Sequence, residues 1–130
     1  MKIKLTPAIA RNILNAYKEA WIKQDTKKLL SIFNKNGIYH EYLLKEPYVG
    51  HKAISDYWER KVVQEQSNIT FKLLDFYISD DTLIAEWDAS FDSNIKNARY
   101  HIIEAAIMKI KNGKVQSLRE YWHPETVTKR

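Results

Sequence analysis

Two glutamates interrupt a pair of otherwise apolar, strand-like runs near the end of this chain. Glu104 lies in Ile-Ile-Glu-Ala-Ala-Ile-Met-Lys-Ile-Lys, residues 102–111, and Glu120 in Lys-Val-Gln-Ser-Leu-Arg-Glu-Tyr-Trp-His, residues 114–123. A carboxylate in a strand covered on both faces needs a partner, a proton or a wet cavity. Asn112-Gly113 joins the two runs and is a strong hairpin signal. The hairpin can close in two ways. In a two-residue loop, Lys111 faces Lys114 and Glu104 lies opposite Tyr121, with Arg119 as a diagonal neighbour and a structural partner. In a three-residue loop with a glycine bulge, Ile110 faces Lys114, Glu104 meets Glu120, and Ile102 meets Trp122. Like charges set opposite one another are destabilising unless one takes a proton. Such a pair is a candidate acid–base couple, with Glu120 as base and Glu104 as acid. The plainer alternative is a glutamate bonded to a nearby tyrosine or backbone amide.

Asp88 and Glu86 are the next carboxylates of interest. The run from Leu83 to Asp92 alternates: Leu83, Ala85, Trp87, Ala89 and Phe91 on one face, Ile84, Glu86, Asp88, Ser90 and Asp92 on the other. The polar face reads most simply as a solvent-facing edge. His40 and Glu41 are neighbours on a strand and point oppositely, so they do not converge on a metal. No metal site is expected. His123 sits at a strand end and reads as exposed. Tyr17, Trp21, Trp58 and Trp122 are candidate walls of a ligand pocket, since large rings with one polar edge suit cavities as well as cores.

The elements that must position these groups follow from periodicity. Thr6-Pro7 caps and opens a helix whose apolar face is Ile9, Ile13, Tyr17, Ala20 and Trp21. Asp25 caps a short helix with Leu29, Ile32 and Phe33 on one face, and Asn36-Gly37 stops it. A strand is expected from Ile38 to Leu44. A third helix runs from about His51 to Gln64, with Ile54, Trp58 and Val62 in line. Four strands follow: one from Ile69 to Ile78, one from Leu83 to Asp92, and the two arms of the hairpin. Three helices and then long strands argue an α+β fold with helices on one face of an antiparallel sheet. Residues 1–130 read as one domain, without repeat or linker.

Composition narrows the function classes. There is no cysteine, so no disulfide or thiolate chemistry, and the chain is compatible with a reducing, cytoplasmic compartment. No run approaches the roughly 18 apolar residues of a membrane span, and the first residues lack the apolar run of a signal peptide. The net charge of +5 is spread among acids rather than gathered into a basic block, which argues against a nucleic-acid partner.

Three segments, in order and spacing, resemble the SnoaL-like part of the nuclear-transport-factor-2-like superfamily. They are Tyr17-Lys-Glu-Ala-Trp21-Ile-Lys-Gln-Asp25, Tyr48-Val-Gly50-His-Lys-Ala-Ile54, and Met108-Lys-Ile110-Lys-Asn-Gly113-Lys114-Val115 followed by Leu118-Arg-Glu-Tyr-Trp122. The resemblance implies a cone-shaped, strongly curved antiparallel sheet wrapped around three N-terminal helices and enclosing a pocket. It also implies a homodimer through the outer sheet face, and it resembles the bulged form of the hairpin. The family's epoxide hydrolases use an Arg-x-Asp on the strand that here carries Glu86 and Asp88, with an acid at the position of Glu120. The arginine is missing, so that activity is not carried over. The proton-donating acid of the ketosteroid isomerases would fall at Ala106, which has no proton to give. The paired pocket histidines of scytalone dehydratase compare only loosely with His40 and His101.

The resulting expectation is a small-molecule-binding protein. Its pocket would have Tyr17, Trp21, Trp58, Glu86 and Trp122 as ligand contacts and Glu120, Glu104 and Asp88 as the acids. The ligand would be small and partly apolar, with hydroxyl or amine groups. Any catalysis would be cofactor-free isomerisation, dehydration or hydrolysis. The rival expectation is a non-catalytic interaction module using the sheet face, with Leu83, Trp87, Phe91, Ile103, Ala105 and Ile107 on the contact surface.

Overall fold

The computed structural model describes residues 3–127. Helix α1 (Pro7–Ile22) starts as the sequence dictates: Thr6 is its cap, accepting from the Ile9 N–H at 3.2 Å, and proline takes the first turn. Its buried face includes Ala10, Ile13, Leu14, Tyr17, Ala20 and Trp21. Asp25 caps α2 (Thr26–Ser31) through the Lys28 N–H. Strand β1 (Phe33–His40) follows directly, then the short β2 (Tyr48–Val49) and helix α3 (Gly50–Trp58). A π-helical turn, Glu59–Gln64, extends α3. The sequence periodicity reads this stretch as one continuous helix, and Ile54, Trp58 and Val62 are indeed all buried. Strands β3 (Gln66–Ser79), β4 (Thr82–Ser93), β5 (Ala98–Lys111) and β6 (Lys114–Val127) complete the chain.

The six strands form one curved sheet in the order β2-β1-β6-β5-β4-β3. The fold is α+β, as expected, with one difference in the sheet. β1 runs parallel to β6, while every other pair is antiparallel. β1 also begins earlier than the apolar run suggests. Asn36-Gly37 does not stop a helix; it lies inside β1, where the pairing with β6 shifts between Phe33 and Ile38. A glycine is required there by space, because a Cβ on Gly37 would sit 2.9 Å from the Asn34 carbonyl oxygen. Further shifts in β3, next to Asn68 and Leu74, bend the sheet.

The last hairpin closes with the two-residue loop of the first alternative, but its pairing beyond the turn departs from both. Its loop has two residues, Asn112 (φ 54°) and Gly113 (φ 79°), with Lys111 opposite Lys114. Both backbones are left-handed, as a tight turn of the matching twist demands. The bulge comes later, at Gln116, between the pairs Ile110–Val115 and Lys109–Ser117. Glu104 therefore lies opposite Trp122, Ala106 opposite Glu120, and Ile102 opposite Pro124. The expected Glu104–Arg119 pair does not form, because Arg119 lies opposite Ile107 and points to the other face. Glu104 and Glu120 are diagonal rather than direct neighbours, but they share the face turned toward the helices, where both are buried.

That inner face carries the core. Leu83, Ala85, Trp87 and Ala89 of β4 are fully buried with Ala106 and Met108 of β5 and Leu118 of β6. Leu83 and Trp87 are thus unavailable as an outer contact surface, and Phe91 also belongs to the inner side. Ile103, Ala105 and Ile107 alternate with these residues and occupy the outer face.

Candidate functional site

Between the helices and the wide end of the sheet lies a cavity of about 360 Å³. This is at the small end of the range of ligand pockets, roughly 300–1,000 Å³. Helix α1 contributes Tyr17 and Trp21, and α3 contributes Tyr57 and Trp58. The sheet contributes Tyr39 from β1, Gln66 from β3, Phe91 from β4, Glu104 from β5, and Glu120 and Trp122 from β6. On α1 the two rings are one turn apart and share a face, while Tyr57 and Trp58 are neighbours at the end of α3.

At the cavity wall the two glutamates meet. Glu104 is 3% exposed and Glu120 7%. Tyr39 donates its hydroxyl to Glu120 Oε1, and Tyr17 donates to the same oxygen at 3.3 Å. The two tyrosine hydroxyls are themselves 2.8 Å apart. Burial pushes the Glu120 carboxyl up to about 7, against the opposing pull of the Tyr39, Glu104 and Tyr17 hydrogen bonds. Glu104 is pushed well above the usual carboxylate range, first by burial and then by the charge of Glu120. Its Oε2 is buried and makes no close hydrogen bond among the described residues, and the Trp87 indole N–H, also without a close partner, pulls against the rise. A proton on Glu104, donated to Glu120, accounts for both observations: it fills the empty place on Oε2 and gives Glu120 a third donor. The pair then carries one shared proton, with Glu104 as the acid and Glu120 as the acceptor.

Second contacts fix the surrounding rings. Trp21 Nε1 donates to Gln66 Oε1 at 2.8 Å, and Gln24 Nε2 holds the backbone of Gln66 at 2.7 Å and of Val62 at 2.8 Å. Tyr57 stacks on Tyr48 at 4.5 Å between centroids and leans on Tyr39 at 5.1 Å. Trp58 lines the cavity, and its buried indole N–H has no partner among the described residues. Toward the mouth, Trp122 Nε1 donates to the Glu41 carbonyl at 3.3 Å. Lys61 and Glu65 pair there at 3.7 Å. Burial raises the Glu41 carboxyl, and Lys61, Arg60 and Lys45 pull it back down.

The structure thus gathers Glu120, Glu104, Tyr17, Trp21, Trp58 and Trp122 around one cavity. It sets Asp88 and Glu86 apart, because the strict alternation of β4 turns them to the outer face. There Asp88 Oδ2 meets His101 Nε2 at 3.0 Å, and Glu86 accepts from the Tyr77 hydroxyl at 3.4 Å. His101 also reaches Glu125 at 3.1 Å through Nδ1. His40 bonds the Lys45 carbonyl, and His123 is exposed. No group of three or more His, Cys, Asp or Glu side chains converges for a metal among the described residues. The residues that sequence reasoning missed are Tyr39, Tyr57 and Gln66. Tyr39 lies inside the expected strand, but its place beside Glu120 comes from the parallel pairing of β1 with β6, which the sequence does not announce. The alternative of a glutamate bonded to a tyrosine and the alternative of paired glutamates turn out to coexist at Glu120.

Comparison with known proteins agrees with this architecture. The SnoaL-like domain family matches residues 14–118. Among solved structures, one similar fold is a protein with a ketosteroid isomerase-like fold from Catenulispora acidiphila DSM 44928, in complex with trimethylamine. It is 18% identical with a TM-score of 0.76, over 90% of this chain and 86% of that one. A second is an NTF2-like protein of unknown function from Burkholderia pseudomallei K96243, 12% identical with a TM-score of 0.74, over 88% and 91% of the two chains. A third is an LEH-like epoxide hydrolase from M. tuberculosis, 12% identical with a TM-score of 0.73, over 89% and 84%. At these identities the likeness speaks for the fold alone. No curated protein sequence matches the chain.

Proposed function

The chain belongs to the SnoaL-like domain family, and on that premise we propose that it binds a small, partly apolar molecule and transforms it by cofactor-free acid–base chemistry. The fold hosts cofactor-free isomerases, cyclases and epoxide hydrolases. The observation that carries the reading is the buried Glu104–Glu120 pair facing a ring-walled cavity. A carboxyl held near neutrality is poised to take a proton at physiological pH, and its protonated neighbour is poised to give one. Glu120 removes a proton from the substrate or from an attacking water. Glu104 delivers its own to the oxygen that leaves or accumulates charge. Passing the proton from Glu120 back to Glu104 restores the starting state, so isomerisation, dehydration or hydrolysis would need no further proton carrier. The trimethylamine held by the Catenulispora neighbour supports an amine as one group the ligand could offer.

The experiment is a screen of small alcohols, ketones, epoxides and amines against the purified protein, read by thermal shift and by mass spectrometry of products. A ligand that raises Tm and is turned over is expected, with turnover falling at least ~100-fold in Glu120→Gln, the usual scale for losing a general base. Unchanged turnover in that variant would remove Glu120 from the mechanism. A screen in which no compound raises Tm would reject the pocket reading.

The outer sheet face favours a second role. Ile103 is 40% exposed and Tyr121 46%, beside the half-buried Ile84, Ala105 and Ile107. A solvated sheet face with this apolar content suits homodimerisation. Sedimentation at micromolar concentration should give twice the 15.4 kDa chain mass, and a monomer only would reject the dimer. A cytoplasmic location completes the proposal, supported by the absence of cysteine; recovery of the protein from a secreted or membrane fraction would overturn it.

A further inference from the structure

We infer that the ligand class of this cavity is an organic ammonium ion, held by the aromatic walls and by the Glu104–Glu120 pair. The inference rests on the small-molecule reading of the same cavity and narrows it to a charge.

Three observations carry it. First, eight of the twenty lining residues are aromatic, from Tyr17 and Trp21 on α1 round to Trp122 on β6. Aromatic faces are negative and attract alkylammonium groups within about 6 Å of the ring centre, most strongly where water is excluded. Second, the charged groups deep in the cavity are all acidic. Among the described residues neither Glu104 nor Glu120 makes an ion pair. The two lysines of the lining, Lys61 and Lys96, belong to the π-helical turn and the β4–β5 loop, and Lys61 is already paired with Glu65. Third, Glu104 Oε2 is buried without a close hydrogen-bond partner among the described residues, in a side chain that lines the cavity.

A buried carboxylate without a cation is costly, and in the ligand-free protein a proton must take the cation's place. An ammonium group would take the place of the proton on Glu120 and put its methyl or methylene surface against the rings. A carboxylate or phosphate ligand would meet two acids in the depth of the cavity, with Lys96 only in the β4–β5 loop, so the deep end disfavours anions. A neutral alcohol could satisfy the hydrogen bond but would leave the field of the acids unanswered. The groups that face Glu120 are Tyr17 of α1, Tyr39 of β1, Tyr57 of α3 and Glu104 of β5, with Glu41 beyond them. None is basic, and none of the tyrosines ionises in the neutral range, since burial raises all three. Glu104 keeps its proton as the acid of the pair, so the proton given up on binding is that of Glu120.

The test uses three probes of matched shape: choline, its neutral carbon isostere 3,3-dimethylbutan-1-ol, and the anion 3,3-dimethylbutanoate. Choline carries a permanent charge, so any pH dependence comes from the protein. Calorimetry at pH 8 should show choline binding at least ~10-fold more tightly than the alcohol and no binding of the anion. Choline affinity should fall about tenfold per pH unit below pH ~7, with up to one proton released per choline bound. Glu120→Gln should bring choline down to the level of the alcohol and abolish the slope. Glu104→Gln keeps the shape of the protonated acid, so it should weaken choline less than Glu120→Gln does while the slope remains, and a cooperative thermal melt of Glu120→Gln shows that the pocket still folds. If the alcohol binds as tightly as choline, the ammonium inference falls while the pocket reading stands. A slope that is absent in the parent, or that survives in Glu120→Gln, also overturns it. Failure of choline to bind at millimolar concentration overturns it too, and the pocket reading is then judged by the compound screen alone.

Discussion

Glu120 is a base because of the company it keeps. Its carboxyl is buried, which favours the proton, yet hydroxyl donors converge on it, which favours the charge. The balance near 7 depends most on Tyr39, the strongest of the opposing contacts. Tyr39→Phe keeps the ring and deletes the donor. A hydrogen bond to a charged group is worth about 1.5–3 kcal/mol, so the Glu120 titration midpoint should rise by about one to two pH units. Tyr17→Phe should move it less, since that donor stands farther off at 3.3 Å. Carbon-13 NMR of labelled glutamate carboxyls measures both; an unmoved midpoint in Tyr39→Phe would count against Tyr39 as the group that holds the charge. At this scale the sequence was half legible. Glu104 and Glu120 stand out as acids in apolar strands, and Tyr17 and Trp21 as rings on one helix face. The donor role of Tyr39 depends on a strand pairing that no local pattern announces.

Elements were legible where their cause is local. The Thr6 and Asp25 caps, the apolar face of α1 and the alternation of β4 all lie in contiguous residues. β1 was misread because Phe33 fits the face of α2 as well as the start of a strand, and because Asn36-Gly37 is a common helix stop. Its parallel pairing with β6 spans most of the chain and has no local signature. The hairpin shows the same division. Asn112-Gly113 names the turn, but the bulge at Gln116, which decides what faces Glu104, is set by packing further along. The reason for Gly37 is a non-local one of this kind: a Cβ would meet the Asn34 carbonyl at 2.9 Å and the Val115 carbonyl at 3.2 Å. Both atoms are backbone and cannot swing aside. Gly37→Ala should therefore push β1 from β6 and destabilise the fold by about 1–3 kcal/mol, the usual cost of overpacking. Gly113→Ala meets open space and should carry only the left-handed backbone penalty, roughly 1–2 kcal/mol. Urea midpoints at constant m measure both. A fully tolerated Gly37→Ala would show that the bulge has room the close approach denies.

For the whole molecule, the carboxyl pair ties stability to pH with a sign opposite to that of an ion-paired acid. Both folded carboxyls hold their protons above the ordinary value of 4.5, so the native state binds more protons than the unfolded chain above that pH. Their contribution is fully present below about 4.5 and is lost as pH rises through about 7 for Glu120, with the loss from Glu104 extending higher. For Glu120 alone, a rise from 4.5 to about 7 corresponds to about 3 kcal/mol. Urea midpoints should therefore fall between pH 5 and pH 8. His101 slopes the same way, because hydrogen bonds to Asp88 and Glu125 raise it above 6.5 and its contribution is lost as it deprotonates. Two variants separate the sources. His101→Asn should remove only the part of the fall above pH ~6.5, while Glu120→Gln should reduce the part that begins near 4.5 to the share of Glu104. The same protons that lower stability at high pH are those the cavity would exchange with a cation, so a saturating ammonium ligand should restore the midpoint at pH 8 more than at pH 5. A parent protein whose midpoint is level from pH 5 to 8 would mean that the pair is not protonated in the fold, and the assignment of Glu104 as acid and Glu120 as base would go with it.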